Sequence, residues 1–537
     1  MYHTLKIFIL LFSGFWGHFI NAQKPDWKAK LGGEGGDAVT HVSSYGNGIV
    51  VGGIFQNQID LKNQRFNTAG DFDFFITRMD SKGTVQHAFT IGNKGNNTLN
   101  SLICDKSGNI YFSGSFSGTL KVGNFILNSL NNTHFIARAD SSGKILWAES
   151  FQSLGMSDIN DLQISDDGQS LWLCGAYSDS LLYRNNSVYT RVGINFFVAK
   201  ISSADGNMKW LTDAPKAKKA KAISLAVLPD GNAWVCGTFV DSLQMPDHIY
   251  FYSFLHTEIF LAHISAEGKW IRSKRFGGVY NDNPKKIRLS PDKKSLWMAG
   301  EFTAVLNIDT FRLMTARRFY NAFWIKMDLN GNAKAVGQSN TLANCYVHDL
   351  CFIDNDVIVG GYFQDSLEGL PKMHFTNGGF DVFWYGIDSS KAVLVQSNAL
   401  GGSGNDQINA MINFKGALLS AGTFQNSIII NKDTLSSKGF SDGWIACLDN
   451  EKKIVAEPFT LPELIEIKVI QNKNSESFTI ISEKKTAQLE WQIYNLEGKK
   501  ILNGEGNLIP GTTLKAGVYS LQVLTESGIA VVKLVKP

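Results

Sequence analysis

The side chains in this sequence that could do chemistry are few and scattered. The six cysteines are Cys104, Cys174, Cys236, Cys345, Cys351 and Cys447. Cys174 and Cys236 directly precede glycines that recur along the chain, and such a position is typical of a small buried side chain rather than a reactive thiol. Cys345 and Cys351 are the one pair close in sequence, so a local disulfide between them is an alternative that the sequence leaves open.

No pattern of metal ligands or catalytic groups stands out. The ten histidines form no His-x-His or His-Glu-x-x-His pattern, and there is no Cys-x-x-Cys. The turn at residues 328–332 has too few carboxylates for Ca²⁺, which takes about six to eight oxygen ligands, so we predict a capped hairpin turn there. We expect no metal and no cofactor. Acidic residues lie in predicted turns throughout, so catalytic residues stay unknown.

The densest charge run is basic and would lie between an outer and an inner strand. It consists of Lys216, Lys218, Lys219 and Lys221. Most such runs are solvated loops, and contact with an anionic surface polysaccharide is the functional alternative. The formal net charge of +3 on 537 residues is too small to predict a nucleic-acid partner.

A repeat organises the chain around these residues. A glycine two residues before an aromatic returns every 61 to 63 residues, at Gly53 and Phe55, Gly114 and Phe116, Gly175 and Tyr177, Gly237 and Phe239, Gly300 and Phe302, Gly361 and Phe363, and Gly422 and Phe424. About twenty residues later each copy has a second aromatic, from Phe75 in the first to Trp444 in the last. Recurrence in every copy is what packing between repeated units predicts, whereas a binding site needs no sevenfold copy.

Each copy has the pattern of four short strands. In the first copy, residues 37–44, 48–55, 74–79 and 84–91 form alternating or apolar runs joined by tight turns such as Asp80-Ser81-Lys82-Gly83. Four antiparallel strands in about 60 residues, seven times over, predict a seven-bladed β-propeller over residues 23–457. Trp27–Leu31 resembles the outermost strands better than residues 454–459 do. We therefore predict that the N-terminal strand completes the last blade and removes an open edge.

The start of the chain predicts export. Residues 1–22 combine Lys6, an apolar run over 7–20 and Ala22, as in a secretory signal peptide cleaved after Ala22. The apolar run is shorter than the roughly 20 residues of a membrane span. No later segment is long and apolar enough to cross a bilayer, so we expect no transmembrane segment after cleavage.

The end of the chain predicts a second domain. Pro458 and Pro462 mark a linker over residues 458–464. Residues 465–537 contain strand-like runs at 465–470, 477–481, 489–494, 518–523 and 530–535, which predict a small Ig-like β-sandwich.

Two family resemblances follow from these motifs. Gly32-Gly33-Glu34-Gly35-Gly36-Asp37 and Gly401-Gly402-Ser403-Gly404-Asn405-Asp406, with the related Gly277-Gly278 and Asp282, resemble the Gly-Gly-x-Gly-x-Asp motif of bacterial β-propeller-repeat (SBBP-type) proteins. The resemblance covers residues 27–450 and implies the propeller fold but no single activity. Residues 477–480, 493–499, 514–519 and 532–535 resemble the C-terminal sorting domain of the type IX (Por) secretion system of Bacteroidota. Residues 471–474 replace the Pro-Asn-Pro-like turn of that family, and an ordinary accessory sandwich is the alternative.

The resemblances imply a destination more than an activity. A sorting domain implies the type IX machinery as partner and a secreted or outer-membrane surface-attached protein. We expect a binding or interaction module for an extracellular glycan or protein ligand. The alternative is an extracellular glycan hydrolase or lyase with its site in the propeller funnel. Carboxylates or histidines converging there would favour the enzyme, and serine, asparagine and aromatic side chains would favour binding.

Overall fold

The computed structural model describes most of the chain in thirteen segments. They are residues 26–129, 133–190, 193–245, 249–253, 255–315, 319–341, 343–370, 373–448, 467–472, 477–482, 489–494, 500–525 and 528–536. The predicted signal peptide and linker, residues 1–22 and 458–464, lie outside them. The chain divides into two compact units, residues 1–454 and 455–537. The described residues are all-β apart from one 3₁₀ turn, and they contain no helix long and apolar enough to span a membrane.

The first unit consists of four-stranded antiparallel sheets, which we number I to VII along the chain. The first strand is β1 (Trp27–Leu31). Sheet I contains β2 (Ala38–Tyr45), β3 (Gly48–Leu61), β4 (Gln64–Met79) and β5 (Val85–Ile91). Sheet II contains β6 (Thr98–Cys104), β7 (Ile110–Phe116), a hairpin of β8 (Thr119–Val122) and β9 (Phe125–Asn128), β10 (Thr133–Ala139) and β11 (Ile145–Phe151). Sheet III contains β12 (Ser157–Ile164), β13 (Ser170–Tyr177), a hairpin of β14 (Ser180–Tyr183) and β15 (Asn186–Tyr189), β16 (Asn195–Ser202) and β17 (Met208–Asp213).

The remaining sheets of this unit follow the same plan. Sheet IV contains β18 (Lys216–Val227), β19 (Ala233–Gln244), the short β20 (Tyr250–Tyr252), β21 (Glu258–Ile264) and β22 (Trp270–Gly278). Sheet V contains β23 (Asp282–Leu289), β24 (Leu296–Phe302), a hairpin of β25 (Val305–Ile308) and β26 (Phe311–Met314), β27 (Asn321–Met327) and β28 (Ala333–Gln338). Sheet VI contains β29 (Cys345–Ile353), β30 (Asp356–Leu367), β31 (His374–Asp388) and β32 (Leu394–Leu400). Sheet VII contains β33 (Asp406–Phe414), β34 (Ala417–Phe424), a hairpin of β35 (Ser427–Ile430) and β36 (Asp433–Ser436), and β37 (Asp442–Leu448).

The innermost strands of these sheets form a closed ring. The strands β2, β6, β12, β18, β23, β29 and β33 contact one another in this order, and β33 contacts β2 again. The outermost strand of sheet VII is β1, which pairs antiparallel with β37 from Trp27 opposite Cys447 to Leu31 opposite Gly443. The prediction that the N-terminal strand completes the last sheet is therefore confirmed. This arrangement of sheets around one axis is a β-propeller fold.

The repeated glycines and aromatics lie in the interior of the ring. A Cβ on Gly53 would lie 2.1 Å from the carbonyl oxygen of Ala38 and 2.6 Å from the ring of Phe75, so this position admits no side chain. Phe55 is fully buried, with its ring centroid 6.5 Å from that of Phe75. The buried cluster that contains both rings also contains residues of sheet VII. The sheets thus bury their apolar faces against their neighbours, as repeated units must.

Hairpins between the second and third strands are an addition to the predicted repeat. In sheet I, β3 and β4 run on into their hairpin through Lys62 and Asn63, both with positive φ (47° and 61°). Several hairpins bond to the chain that leaves the preceding sheet: Gly33 pairs with Ile59, Gln152 with Leu182, Gly278 with Leu306, and Thr341 with Leu367. The hairpins therefore bridge the seams between adjacent sheets.

The second unit contains two antiparallel sheets. One sheet has the order β38 (Ile467–Asn472), β39 (Ser477–Ser482) and β42 (Leu508–Ile509). The other has the order β41 (Lys500–Glu505), β40 (Glu490–Tyr494), β43 (Gly517–Thr525) and β44 (Gly528–Lys536), and a 3₁₀ turn spans Gly511–Thr513. Both sheets contribute to one buried cluster that includes Phe478, Trp491 and Leu521. Of these strands, β41 and the two-residue β42 were not anticipated by the sequence pattern.

Candidate functional site

Each innermost strand of the ring carries a β-bulge at an equivalent position. The register of the strand pair shifts at Thr40, Asn100, Asn160, Ile223, Lys285, His348 and Asn409. A bulge re-aims side chains and is over-represented beside functional sites. Five of these residues carry an amide, a hydroxyl or an amine, and one carries an imidazole, so a polar belt follows the innermost strands.

Polar side chains at the bulges link neighbouring innermost strands. Asn160 Nδ2 donates to the carbonyl of Ala222 (2.8 Å), and Asn409 Nδ2 donates to the carbonyl of Val39 (2.8 Å). The residue after the bulge accepts a backbone N–H from the next strand. Asp161 accepts from Leu225 N (3.1 Å) and Asp349 from Met411 N (2.8 Å). These bonds cross between sheets, and they fix the side chains that surround the axis.

Charged side chains of non-adjacent sheets meet at Asp161. Arg288 Nη1 lies 3.1 Å from Asp161 Oδ2, and Lys286 Nζ lies 3.5 Å from Oδ1. Sheets III and V have sheet IV between them, so a direct contact places this cluster at the axis of the ring. Ser224 Oγ of sheet IV also donates to Asp161 (2.6 Å). Burial alone would raise the pKa of Asp161, but the two cations and these hydrogen bonds together hold it well below its usual range.

Two histidines stand beside this cluster as neutral groups. Burial lowers the pKa of His41 and of His348 to about 4, and the charge of Lys286 adds to the effect at both. Asp349 is nearly buried, and besides Met411 N it accepts the N–H of Leu350 (2.9 Å). The acidic groups in this cluster therefore already have cations or backbone donors as partners.

An aromatic patch lies where sheets V and VI meet; we define it as Tyr320, Tyr346, Tyr362 and Phe380. The ring centroids of Tyr346 lie 5.4 Å from Tyr320 and 5.1 Å from Tyr362, and those of Tyr362 and Phe380 are 5.2 Å apart. His348 lies 5.2 Å from Tyr362. All four rings are half-buried. The patch thus presents several partly exposed rings at one place on the ring of sheets.

The two central tyrosines break the repeat. The positions equivalent to Tyr346 hold Ala38, Thr98, Asp158, Lys221, Asn283 and Gln407. Those equivalent to Tyr362 hold Ile54, Ser115, Ala176, Thr238, Glu301 and Thr423. None of these is aromatic, so packing of the repeated sheets does not require the two rings.

An ion pair with a buried carboxylate lies beside the aromatic patch. Glu301 is 4% exposed, with its carboxylate 3.2 Å from Lys285 Nζ and accepting Val347 N (3.3 Å). Burial raises the pKa of Glu301, against the effect of Lys285. Burial raises the pKa of Tyr346 and Tyr362, and the nearby charge of Glu301 adds to this effect at both.

The residues singled out by sequence are dispersed over the ring. The fourteen repeat residues from Gly53 to Phe424 are distributed among all the sheets, and their aromatics are fully buried. Lys216, Lys218 and Lys219 are exposed on β18, whereas Lys221 forms an ion pair with Asp158 (2.8 Å). All six cysteines are buried and none forms a disulfide, so Cys345 and Cys351 are not bridged. Asp328 accepts the N–H groups of Asn330 and Asn332 (2.9 Å each), as a capped turn does. The described segments contain no cluster of three or more metal-ligating side chains.

Sequence reasoning missed the aromatic patch, although a signal was present. The signal is that Tyr346 and Tyr362 are aromatic where the corresponding residues of the other copies are not. Aligning the inner strands of all copies would have revealed them as aromatics outside the repeated pattern.

Comparison with known proteins adds a likeness of shape alone. No family model matches the chain, and no curated protein matches it. The β-propeller domain of the trilobed protease from Pyrococcus furiosus aligns with a TM-score of 0.40 and 11% identity, over 79% of this chain and 96% of that one. The periplasmic gluconolactonase PpgL from Pseudomonas aeruginosa gives 0.40 and 10%, over 78% and 99%. Quinohemoprotein alcohol dehydrogenase from Comamonas testosteroni gives 0.35 and 8%, over 82% and 79%. Likenesses this weak carry no argument about function.

Proposed function

We propose that this protein is an exported seven-bladed β-propeller that binds an extracellular glycan through the aromatic patch. The observation that carries the proposal is that Tyr346 and Tyr362 are half-buried aromatics at positions where no other sheet has one. Aromatics needed for packing recur in each sheet and are fully buried. Aromatic rings that neither recur in each sheet nor are fully buried are best explained by contact with a ligand.

A saccharide suits the chemistry of this patch. Tyrosine combines an apolar ring, which packs on the apolar face of a sugar, with a hydroxyl that bonds to its polar groups. The polar belt of asparagines, threonine and histidine lies along the same innermost strands and offers further donors and acceptors. Glycan hydrolysis is less well supported, because Asp161, Asp349 and Glu301 are each engaged by cations or backbone N–H groups.

Binding is tested with a pair of matched variants. A glycan array probed with the mature full chain would identify ligands, and calorimetric titration would measure the affinity of the strongest. The double change Tyr346→Ala and Tyr362→Ala should weaken that affinity at least about tenfold, because aromatic anchors contribute on the order of 1 kcal/mol or more each. Tyr189→Ala removes a tyrosine that is 66% exposed on the hairpin of sheet III and should leave the affinity unchanged. Equal affinities in all three proteins, or no glycan bound, would refute the proposal.

The second unit is proposed to be an Ig-like sorting domain for type IX secretion, which would deliver the protein to the medium or the cell surface. Its two sheets with a shared core are compatible with a sandwich, and the sequence motifs support the assignment. The test compares the full chain with a chain ending at Leu461 in a host that has type IX secretion. We expect the full chain outside the cell with its tail removed, measured as intact mass, and the shorter chain in the periplasm. The same location for both would contradict the assignment.

A further inference from the structure

The seams between adjacent sheets contain a recurring pair of buried polar residues. One residue lies on the third strand of a sheet, opposite the repeated aromatic of the second strand, and the other stands at the start of the innermost strand of the next sheet. In the seam between sheets I and II these are Asp73 and Asn97. Asn97 N donates to Phe72 O (2.9 Å), and Asn97 Nδ2 donates to Asp73 Oδ1 (3.1 Å). Both residues are buried, so an amide donor satisfies a buried carboxylate.

Three other seams have an acid on both sides. The pairs are Asp442 with Asp37, Glu258 with Asp282, and Asp381 with Asp406. In the first two, the outermost strand supplies a cation. Lys30 Nζ lies 3.0 Å from Asp442 Oδ2, and Arg275 forms an ion pair with Glu258. A positive charge therefore offsets the second buried carboxylate there.

The seam between sheets VI and VII has no such cation. Lys30 lies opposite Trp444 and Arg275 opposite Phe260, in each case two residues after the acid. The equivalent position opposite Phe383 holds Ala399. Within the described segments neither Asp381 nor Asp406 takes part in an ion pair, and they are only 2% and 0% exposed.

The two carboxylates nevertheless contact consecutive residues of the chain, Gly401 and Gly402. A Cβ on Gly401 would lie 2.1 Å from Asp381 Cγ, so the Asp381 carboxylate packs directly on Gly401. The next residue, Gly402, donates its N–H to Asp406 Oδ2 (2.6 Å). Asp381 Oδ2 accepts Asn377 N (2.9 Å), but Asp381 Oδ1 has no hydrogen-bond donor among the described residues. That oxygen corresponds to the one that receives the Asn97 amide in the seam between sheets I and II.

We propose that Asp381 and Asp406 share one proton across this seam, with protonated Asp406 in the role that Asn97 has beside Asp73. A protonated carboxyl group can donate one hydrogen bond, as the Asn97 amide does to Asp73, and it removes the repulsion between two buried charges. Loss of the proton leaves two ionised acids with no cation beside them. The seam is therefore a pH-sensitive junction of the ring.

Burial raises the pKa of the motif aspartate in all three acid pairs, to about 6 at Asp37 and about 8 at Asp282 in the two seams that have a cation. The missing cation, and not the size of the shift, therefore distinguishes the seam between sheets VI and VII. Burial raises the pKa of Asp406 to about 7, with a contribution from the charge of Asp381, and raises the pKa of Asp381 to about 6. The other groups that face the pair are the uncharged N–H groups of Asn377, Gly402 and Gln425. Because the folded state holds a proton that the unfolded chain releases near pH 4, the stabilisation is complete below about pH 4. It is lost as the pH rises to about 7.

Reciprocal substitutions test the shared proton. The melting temperature of the mature full chain is measured by calorimetry from pH 5 to 8.5, and each variant is compared with wild type at every pH. For Asp406→Asn, the melting temperature relative to wild type should rise by about 2–3 °C over this range, because the amide keeps its donor. For Asn97→Asp, which creates an acid pair beside Asp73, the relative melting temperature should fall by a similar amount. The difference in melting temperature between variant and wild type at each pH removes the contribution of groups that titrate elsewhere in the protein.

A third variant keeps the test decisive if Asp406→Asn folds poorly. Ala399→Lys places a cation where Lys30 and Arg275 stand in the other seams. The melting temperature of Ala399→Lys relative to wild type should also rise with pH, because the lysine offsets the second negative charge that forms when the acid pair loses its proton. Differences that stay constant with pH for both Asp406→Asn and Ala399→Lys would overturn the proposal. A melting temperature of wild type at pH 8.5 that Ca²⁺ raises and EDTA lowers would overturn it too, because the acids would then hold a cation.

Discussion

Two adjacent glycines of the Gly-Gly-x-Gly-x-Asp motif face different neighbours. A Cβ on Gly32 would lie 2.3 Å from Oδ1 of Asp442, so the first glycine makes room for a buried carboxylate. A Cβ on Gly33 would lie 1.9 Å from the carbonyl oxygen of Gln58, so the second glycine makes room for the hairpin of sheet I. The motif aspartate, Asp37, accepts Gly33 N (2.5 Å) and Gln56 N (3.0 Å). At residue scale the motif is thus a joint between sheets.

A substitution in this loop separates close approach from general loop effects. Gly33→Ala should lower the free energy of unfolding by about 1–3 kcal/mol, because the methyl group meets backbone that cannot move aside like a side chain. A Cβ on Gly36, in the same loop, would lie 3.6 Å from its nearest neighbour, Gln56 Oε1. Gly36→Ala should therefore change the free energy of unfolding by less than about 0.5 kcal/mol. Guanidinium unfolding of both variants measures the difference. Equal losses would show that the contact with Gln58 is not the reason for a glycine at position 33.

At the scale of elements, periodic features were predictable from sequence and departures from the period were not. The predicted strand over residues 48–55 starts where β3 starts, but β3 continues to Leu61 because it runs on into a hairpin. The separate hairpins consist of strands of only four residues, such as Thr119–Val122, which give too short a pattern to recognise.

An alignment of the copies singles out Tyr346 and Tyr362, but for a related physical reason it does not predict which other rings lie beside them. Tyr320 directly precedes β27 of sheet V, whereas Tyr346 and Tyr362 lie on two strands of sheet VI, and only the folded ring brings their rings together. Similarly, Lys221 belonged to a run expected in solvent, yet β18 places it beside Asp158 of the preceding sheet. Residue type and spacing identified the repeat, whereas contacts between copies decide which residues share a site.

At the scale of the whole ring, closure depends on a strand far away in sequence. Besides its pairing with β37, β1 is tied to sheet I, because Trp27 Nε1 donates to the carbonyl of Ser81 (2.9 Å). Leu31 is buried in the cluster shared by sheets VII and I. The strand therefore supports both the last sheet and the seam next to it, as expected of an element that removes an open edge.

Deleting residues 27–31 tests this role. The loss of one buried leucine and a ladder of hydrogen bonds should destabilise the ring by about 3–5 kcal/mol, and the exposed edge of β37 should promote self-association. Calorimetry would measure the first effect and light scattering after size-exclusion chromatography the second. Deleting residues 455–537, the other compact unit, is the control and should leave the transition of the ring in place. If the ring without β1 melts at the wild-type temperature and stays monomeric, sheet VII is stable with three strands. The contacts between adjacent sheets, and not β1, would then keep the ring closed.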